Sequence, residues 1–530
     1  MSGRDKMTYV SLLSDESIHE EYEAALLSIE AELGQHHPIY IGERSIASEE
    51  EFEVRSPIDS DILIGYFQKG GREHALDAVG EAKRSFDTWS GVDWSDRMQK
   101  IRAAADTLEH RKYLLAALIT YESGKNRFEA IAEVGEAIDM LRYYCDVYEQ
   151  QEGYRISLPG SAPDERSRSV MKPHGTWVVI SPFNFPLVLA AGACSAALLT
   201  GNTVVFKPTS ETPFCGLKLY EAFVESGVMP GAINMVTGPG KTFGEAVVAH
   251  PDVDGIAFTG SKAVGMWLHR NFALKQPYPK PFIAEMGSKN PTIVTSSADL
   301  ESAVEGVARA AFGYSGQKCS ATSRVYVHIS VAQQFTDALR ARAEAMAVGD
   351  PRERDVFLGP LISQAALETY RESLDLAVRD GGTIISGGEV LSGGLYDGGH
   401  YVTPTIVAGL PEGHRIFKEE LFVPLVSLGT FNTFEEALFL ANSTDYGLTA
   451  GIFSGDTEEI GRFFRYIRFG VCYANRKGGA TTGAWPGSQP FGGWKASGST
   501  GRAVGGPYYL ISFMREQAQT IAGERSTEGL

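Results

Sequence analysis

The amino-acid sequence predicts an α/β protein built on parallel sheets, and two observations support this fold class. Between residues 176 and 285, short apolar runs recur every 22–30 residues or so, a spacing of about one βαβ unit; they lie at 177–180, 203–206, 233–236, 255–258 and 282–284. Helical patterns fill the gaps between them, at 187–200, 214–226, 241–250 and 262–272. Strands that alternate with helices in this way form a parallel sheet.

The length and composition indicate a globular protein with more than one domain. The chain has 530 residues, of which 43% are hydrophobic and 22% charged, and single cores stop growing at about 250–300 residues. The net charge of −18 disfavours nucleic acids and anionic membranes as partners. Five scattered cysteines favour a reducing, cytoplasmic location over a disulfide framework. The longest apolar run, 186–199, is too short to span a bilayer core of about 30 Å.

The order of patterns along the chain predicts a modular organisation. We expect a helical extension at 1–34, a first α/β unit formed by 35–151 and 174–285, and a second unit at 286–502. The first unit begins with strand-like residues 38–66, followed by long helices at 73–89, 95–122 and 127–150. The second unit has helical patterns near 299–312 and 331–346 and strand-like runs at 324–327, 383–385 and 424–427. The polar segment 152–173 and the C-terminal part 503–530 either pair as an assembly arm or are unrelated surface strands.

Polar residues and glycines follow each apolar run of the first unit. Asn184 follows the first run and Lys207 the second, and Glu285 directly follows the last. In parallel sheets ligands bind beyond the carboxyl ends of the strands, so these side chains are expected to meet at one edge. The turn at 238–244 departs from the GxGxxG pattern and is by itself weak evidence for a dinucleotide.

A single cysteine, Cys319, stands among small polar residues in the glycine-containing segment 312–324. Small neighbours allow close approach of a substrate, and the adjacent Lys318 is expected to help hold a thiolate. The alternative is a buried structural cysteine, as the apolar surroundings of Cys145, Cys194 and Cys472 suggest for those three. Taken alone, Glu285 would be read as a surface charge and Asn184 as a turn residue.

Seven motifs, taken together, resemble those of the NAD(P)-dependent aldehyde dehydrogenase superfamily, and the resemblance covers residues 35 to 515. The motifs occur in one order: Pro182-Phe-Asn-Phe-Pro186, Lys207-Pro208, Phe258-Thr-Gly-Ser261, Glu285-Met-Gly-Ser-Lys-Asn-Pro291, Gly316-Gln-Lys-Cys319, Glu420-Leu-Phe422 and Pro490-Phe-Gly-Gly493. Within the superfamily, three stretches are most similar to the Δ1-pyrroline-5-carboxylate dehydrogenases, at 136–144, 316–321 and 482–493.

The resemblance implies a fold and a mechanism. The first unit would be the NAD(P)-binding domain, 286–502 the catalytic domain, and 152–173 with 503–530 a small β oligomerisation arm and tail. Cys319 would attack the aldehyde as a thiolate, giving a thiohemiacetal and then a thioester. The side chain of Asn184 and the backbone N–H of Cys319 would stabilise the oxyanion, and Glu285, with a pKa raised by burial, would be the general base for hydrolysis.

The resemblance also assigns a cofactor, NAD with NADP as the alternative. The residues implied to bind it are Ser181, Pro182, Phe183, Lys207, Ser210, Gly240, Gly244, Thr259, Gly260, Ser261, Gly287, Glu420 and Phe422. One position departs from the pattern: Ser210 stands where many NAD-preferring relatives have glutamate, and Glu211 follows it. Without a carboxylate at that position a 2′-phosphate is repelled less, so NAD preference is an expectation.

For the substrate, the resemblance places Ser320 and the backbone of Gly483 and Ala484 around a carboxylate, and Phe185 and Phe491 beside an aliphatic stem. A small packing residue is the alternative role for Ser320. The function implied is oxidation of L-glutamate γ-semialdehyde to L-glutamate in proline degradation, by a homo-oligomer (dimer or higher) that has no metal. The alternatives are another semialdehyde or simple aldehyde as the substrate, or a non-catalytic binding protein on this fold.

Overall fold

The structure is a computed structural model that describes residues 17–478 and 485–523. Its α-helices in chain order are α1 (Ser17–Glu30), α2 (Arg72–Gly91), α3 (Trp94–His110), α4 (Lys112–Ser123), α5 (Arg127–Gln150), α6 (Val188–Leu199), α7 (Pro213–Glu225), α8 (Gly240–Val247), α9 (Lys262–Lys275), α10 (Leu300–Phe312), α11 (Ala332–Glu344), α12 (Gln364–Arg379), α13 (Arg415–Lys418), α14 (Phe434–Asn442) and α15 (Thr457–Tyr466). Short 3-10 turns lie at Gly313–Gly316, Gly394–Gly398 and Leu510–Phe513.

The strands in chain order are β1 (Gln35–His37), β2 (Ile39–Ile41), β3 (Arg44–Ile46), β4 (Glu51–Arg55), β5 (Leu63–Gln68), β6 (Arg155–Pro159), β7 (Glu165–Pro173), β8 (Thr176–Ile180), β9 (Thr203–Lys207), β10 (Ile233–Met235), β11 (Gly255–Gly260), β12 (Phe282–Met286), β13 (Asn290–Val294), β14 (Thr322–His328), β15 (Thr383–Ser386), β16 (Thr405–Ala408), β17 (Leu425–Phe431), β18 (Tyr446–Gly447), β19 (Thr449–Phe453), β20 (Val471–Ala474), β21 (Trp494–Lys495) and β22 (Met514–Ala522). They form two large sheets and three small ones.

The first large sheet has the strand order β12-β11-β8-β9-β10-β2-β3, and its strands from β12 to β10 are parallel. The five apolar runs are thus the strands that were predicted. The side chains of β8 alternate between two cores, because Val178 packs in a cluster with α2 and α8 whereas Val179 packs in one with α6 and α7. Helices therefore cover both faces, which explains why these strands are apolar throughout.

The second large sheet has the order β15-β16-β17-β14-β13-β19-β20, and all neighbouring pairs except β15 with β16 are parallel. The sequence predicted β14, β15 and β17 but missed β13, β16, β19 and β20. Two of the missed strands carry weak signals, because β13 begins at Asn290-Pro291 and β19 contains Gly451. All three residue types are depleted in strands, and here tertiary packing overrides the local preference.

The predicted helix at 95–122 is wrong as a single element, because it consists of α3 and α4. The chain leaves helical geometry at Arg111, where φ is −103° and ψ is 14°. The guanidinium of Arg111 pairs with Glu225 of α7 at 2.7 Å. The change of direction lets α4, most of which is buried, pack against α1 and α5. Apolar periodicity continues across the break, so the sequence pattern did not reveal it.

Segment 152–173 does pair with the C-terminal part of the chain. Strands β6, β7 and β22 form an antiparallel sheet in which Pro173 lies opposite Met514 and Glu165 opposite Ala522. The alternative of unrelated surface strands is thereby excluded. Strand β6 is an exposed edge. Among the described helices, none is both long enough and apolar enough to cross a membrane.

Candidate active site

A cavity of about 920 Å³ lies at the carboxyl edge of the first large sheet. The three predicted catalytic residues, Asn184, Glu285 and Cys319, all line it. The predicted cofactor residues line it as well: Ser181, Pro182, Phe183, Lys207, Ser210, Gly240, Gly244, Thr259, Gly260, Ser261, Gly287, Glu420 and Phe422. Residues separated by more than 200 positions in the chain therefore line one cavity.

Strand register explains how the first sheet brings these residues together. Ile180 lies opposite both Lys207 and Phe258 in the parallel ladder, and Thr259 lies opposite Glu285. The ends of the four strands are level as a result. The residues that follow these strands therefore lie at the same edge of the sheet.

Cys319 lies in a sharply turned loop between α10 and β14. Tyr314 and Ser315 both have left-handed backbone geometry, with φ of 49° and 52°, a conformation that costs free energy and persists only where surrounding contacts enforce it. Asn290, on β13, donates through Nδ2 to the carbonyl oxygens of Cys319 at 2.7 Å and Ala321 at 2.9 Å. The loop is thus held at Cys319 and two residues after it.

The electrostatic surroundings of Cys319 favour the thiol. Burial, together with the carboxylates of Glu420 and Glu285, raises the pKa of Cys319 to about 12. Lys318 offers no compensation, because its Nζ pairs with Glu129 at 2.7 Å. The prediction that Lys318 helps to hold the thiolate is therefore wrong for this arrangement.

Glu285 is the second-to-last residue of strand β12. Its side chain is buried, and burial raises its pKa well above the ordinary value. The backbone N–H of Gly493 donates to Oε2 at 2.9 Å, which orients the carboxyl group. The predicted rise in pKa is confirmed, and a raised pKa makes this carboxyl group a better proton acceptor.

The far end of the cavity carries a buried lysine and a hydroxyl. Lys207 is 3% exposed, its Nζ donates to the carbonyl of Pro208 at 2.9 Å, and burial lowers its pKa to about 8. Ser210 donates to the carbonyl of Gly238 at 3.1 Å. The carboxylate of Glu211 lines the same end of the cavity and hydrogen-bonds to the hydroxyl of a neighbouring threonine.

Two helices begin at the wall of the cavity, and both offer backbone N–H groups. Helix α8 begins at Gly240, where an added Cβ would meet no atom within 4 Å. Helix α9 is capped by Ser261, whose Oγ accepts from the N–H of Val264 at 3.4 Å. Helix N-termini with open space in front of them suit phosphate groups. The site therefore offers two positions suited to the phosphates of a dinucleotide.

Glu420 lines the same cavity as these helix starts and Cys319. Its Oε1 accepts from the backbone N–H of Ser288 at 2.7 Å, and burial raises its pKa to about 7. Gly287 allows this close approach, because a Cβ there would overlap the carboxylate. Phe422 has a left-handed φ of 60° and meets the ring of Phe183 edge-on at 5.9 Å.

Only some of the predicted substrate residues line the cavity. Phe491 lines the cavity, but Phe185 and Ser320 are not among its lining residues. The ring of Phe185 covers Nζ of Lys125, which lies 3.6 Å from the ring centroid.

Ser320 is 1% exposed, and its Oγ has no hydrogen-bond partner among the described residues. Buried hydroxyls are rarely left unpaired, so this oxygen has capacity for a ligand. Gly483 and Ala484, the other predicted carboxylate-binding positions, lie outside the described residues.

Sequence reasoning did not single out Asn290, Lys125 or Glu133. Asn290 was quoted only within a motif, and its hydrogen bonds to the Cys319 loop become visible only in the fold. Glu133 carried a usable signal, since it follows Glu129 by four residues on an otherwise apolar stretch of α5. In the described part of the chain, no cluster of three or more His, Cys, Asp or Glu residues could hold a metal ion.

Comparison with known proteins identifies relatives that cover nearly the whole chain. Residues 45–518 match the model of the aldehyde dehydrogenase family. The 1-pyrroline-5-carboxylate dehydrogenase 1 of Halalkalibacterium halodurans is 37% identical over 511 residues, covering 96% of each chain. A solved 1-pyrroline-5-carboxylate dehydrogenase is similar with a TM-score of 0.93 and 33% identity, covering 99% of this chain and 100% of the other. The enzyme from Thermus, solved with bound NAD, is similar with a TM-score of 0.91 and 34% identity, covering 96% and 97%. The chain therefore belongs to the aldehyde dehydrogenase family.

Proposed function

We propose that this protein oxidises L-glutamate γ-semialdehyde, the open form of Δ1-pyrroline-5-carboxylate, to L-glutamate with NAD, in proline degradation. The observation that carries the proposal is one cavity lined by Cys319, Asn184 and Glu285 near two helix N-termini. The relatives named above are 1-pyrroline-5-carboxylate dehydrogenases, one of them solved with NAD, and they supply the substrate.

Cys319 is the nucleophile of the proposed reaction. Its sulfur adds to the aldehyde carbon as a thiolate, and the carbonyl oxygen becomes an oxyanion. The amide of Asn184 and the backbone N–H of Cys319 donate to that oxygen, which lowers the barrier because the donors are already oriented. Since the pKa of Cys319 is raised to about 12, a proton must leave the sulfur during or before the attack.

Glu285 serves the second half of the reaction, in which water releases the acyl group from the sulfur. Its buried carboxylate takes the proton from that water, and the Gly493 N–H holds the carboxylate in place at 2.9 Å. When bound, NAD supplies the oxidising power by accepting a hydride.

The cofactor would lie along the cavity. The starts of α8 and α9 would face the pyrophosphate, Lys207 the adenosine ribose and Glu420 the nicotinamide ribose. Ser210 leaves room for a 2′-phosphate, whereas the neighbouring carboxylate of Glu211 disfavours one. We infer a preference for NAD with measurable use of NADP.

Substrate selectivity is assigned to the region beyond Cys319. The unpaired Oγ of Ser320, with the backbone of Gly483 and Ala484, would bind the carboxylate of the amino acid. Phe185 and Phe491 would flank the aliphatic stem. A site built for a carboxylate rejects analogues that lack it, because its buried donors are left unpaired.

The decisive test is a steady-state assay of semialdehyde oxidation with NAD and NADP in parallel. Cys319→Ala should abolish turnover and leave NAD binding unchanged, and Glu285→Gln should give one burst of NADH followed by slow turnover. Succinic semialdehyde and propanal should react with kcat/KM lower by about 10⁴-fold or more. Turnover by Cys319→Ala would overturn the mechanism, and equal use of propanal would reassign the substrate.

We also propose that the β6–β7–β22 sheet, the arm, joins two copies of the chain. The side chains of Ile156 and Leu158 on the edge strand β6 are exposed, at 58% and 42%, and unpaired edge strands tend to acquire a partner. Light scattering after gel filtration should give at least a dimer mass, and Ile156→Lys should lower it. A monomeric wild type would refute this role.

We assign residues 35–151 and 174–285 to a cofactor-binding domain and 286–502 to a catalytic domain, since each contains one of the large sheets. The helix that precedes the first of these, α1, belongs to the proposed N-terminal extension of residues 1–34. All five cysteines lack a disulfide partner, which supports a reducing, cytoplasmic location.

A further inference from the structure

Behind the cavity, Lys125 and Glu133 form an ion pair that is shielded from solvent on all sides. Both side chains are 0% exposed, and Nζ of Lys125 donates to Oε2 of Glu133. Burying two charges costs several kcal/mol per ion unless other polar groups compensate. The other polar contacts of Lys125 and Glu133 must therefore offset this cost.

The second oxygen of Glu133 binds the beginning of α6. Oε1 accepts from the backbone N–H groups of Leu187 at 2.9 Å and Val188 at 3.3 Å. A carboxylate in this place satisfies amides that a helix start leaves without partners and complements the helix dipole. The turn that this contact closes runs from the end of β8 to α6 and carries Asn184 and Phe185.

Lys125 holds the same turn from the other side. Its Nζ lies 3.6 Å from the ring centroid of Phe185, the residue next to Asn184, and 5.0 Å from that of Tyr314. Tyr314 begins the loop that carries Cys319, and its hydroxyl donates to the carbonyl of Ser123 at 2.8 Å. The ammonium thus lies between the turn of the proposed oxyanion donor and the loop of the proposed nucleophile.

Helix α5 extends this arrangement through Glu129, one turn before Glu133. Glu129 pairs with Lys318, directly beside Cys319 in the chain, at 2.7 Å. Two carboxylates on successive turns of one helix therefore reach the two loops that must meet at the substrate carbon. Neither contact involves the cavity itself.

We propose that the Lys125–Glu133 pair is a positioning device that holds the Asn184 turn in register with the Cys319 loop. This inference rests on the proposed function, because it assigns Asn184 the role of oxyanion donor. Lys125 and Glu133 do not line the cavity and so would touch neither substrate nor cofactor. They act through Asn184, and displacing a donor by about 1 Å can cost roughly 100-fold in rate.

The test compares Glu133→Gln, Lys125→Met and the double variant with wild type. Each single variant leaves one buried charge without its partner, and we expect kcat for semialdehyde oxidation to fall by about 10-fold or more, with the Kd for NAD within about 2-fold of wild type. The double variant is neutral and keeps an acceptor oxygen for the α6 amides, so it should recover much of the loss. If a single variant does not fold, the double variant tests the proposal instead. It is then combined with Asn184→Ala in the coupling measurement described next.

A coupling measurement separates positioning from stability. Adding Glu133→Gln, or the Lys125→Met/Glu133→Gln pair, to Asn184→Ala should cause little further loss of kcat, because the pair acts through Asn184. The matched control is Asp254→Asn: Asp254 also accepts a backbone N–H, that of Thr176 at 3.0 Å, and pairs with Lys280 at 3.7 Å, but at the opposite end of β8. It should lower the melting temperature and leave kcat unchanged.

The outcomes are distinguishable from a failure of the proposed function. If wild type does not oxidise the semialdehyde, the function is wrong, and the same comparison on whichever aldehyde it does oxidise tests the positioning role. If wild type is active and the Glu133 and Asn184 losses multiply independently, the inference is overturned. An unchanged kcat in both single variants overturns it as well.

Discussion

The contact between Gly287 and Glu420 gives the sharpest test of the cofactor site, because a single methyl group should disturb it. In Gly287→Ala the new Cβ would overlap Oε2 and Cδ of Glu420, so the carboxylate must withdraw. It then loses the hydrogen bond from the Ser288 N–H, now 2.7 Å long. The Glu420 side chain is the part that can move, so the fold should survive.

The size of the effect follows from that hydrogen bond. A hydrogen bond to a charged group contributes about 1.5–3 kcal/mol, which corresponds to roughly a 10- to 150-fold change in an equilibrium or rate constant. If Glu420 holds the nicotinamide ribose, kcat/KM with respect to NAD should decrease by a factor within this range. The melting temperature should change little.

The assay is steady-state NADH formation at varied NAD, with NAD binding measured separately by calorimetry. The matched control is Gly461→Ala on α15, where an added Cβ meets no atom within 4 Å. This exposed helix position should gain about 0.5–1 kcal/mol of stability without any change in activity. Wild-type kinetics in Gly287→Ala would refute the assignment of Glu420 to the nicotinamide ribose.

Three further predictions concern ionisation and cofactor choice. Because the pKa of Cys319 is raised to about 12, inactivation of the cofactor-free enzyme by iodoacetamide should still accelerate up to about pH 10, and a plateau below about pH 9 would contradict this. Burial raises the pKa of Glu122 from 4.5 to about 7, so the folded state holds the extra proton and loses stability as pH rises between these values, by a free energy on the order of 3 kcal/mol. Glu122→Gln should flatten this part of the unfolding profile measured in denaturant, and an unchanged slope would count against it. Ser210→Glu should lower kcat/KM for NADP by about 10-fold or more through charge repulsion while sparing NAD; equal losses with both cofactors would argue against a role in discrimination.

Period and spacing were sufficient to predict the first parallel sheet. Each of its five apolar runs became a strand, because βαβ units bury both faces of the sheet and so leave continuous apolar segments. The same logic predicted that Asn184, Lys207 and Glu285 would share an edge, since parallel strands present their carboxyl ends together. In β13, which begins at Asn290-Pro291, and in β19, which contains Gly451, the local signal was lost.

Only the tertiary structure revealed contacts between residues distant in the chain. No local pattern indicates that Lys318 pairs with Glu129, or that Asn290 holds the Cys319 loop. The role of Glu133 also depends on the fold, because its partners are the start of α6 and Lys125, two residues after the end of α4. Sequence determined which residues carry chemistry, since residue types and spacing along single strands are local properties. The fold decided which charges meet in a buried space, where their mutual distances and the lack of water set their pKa values and their positions.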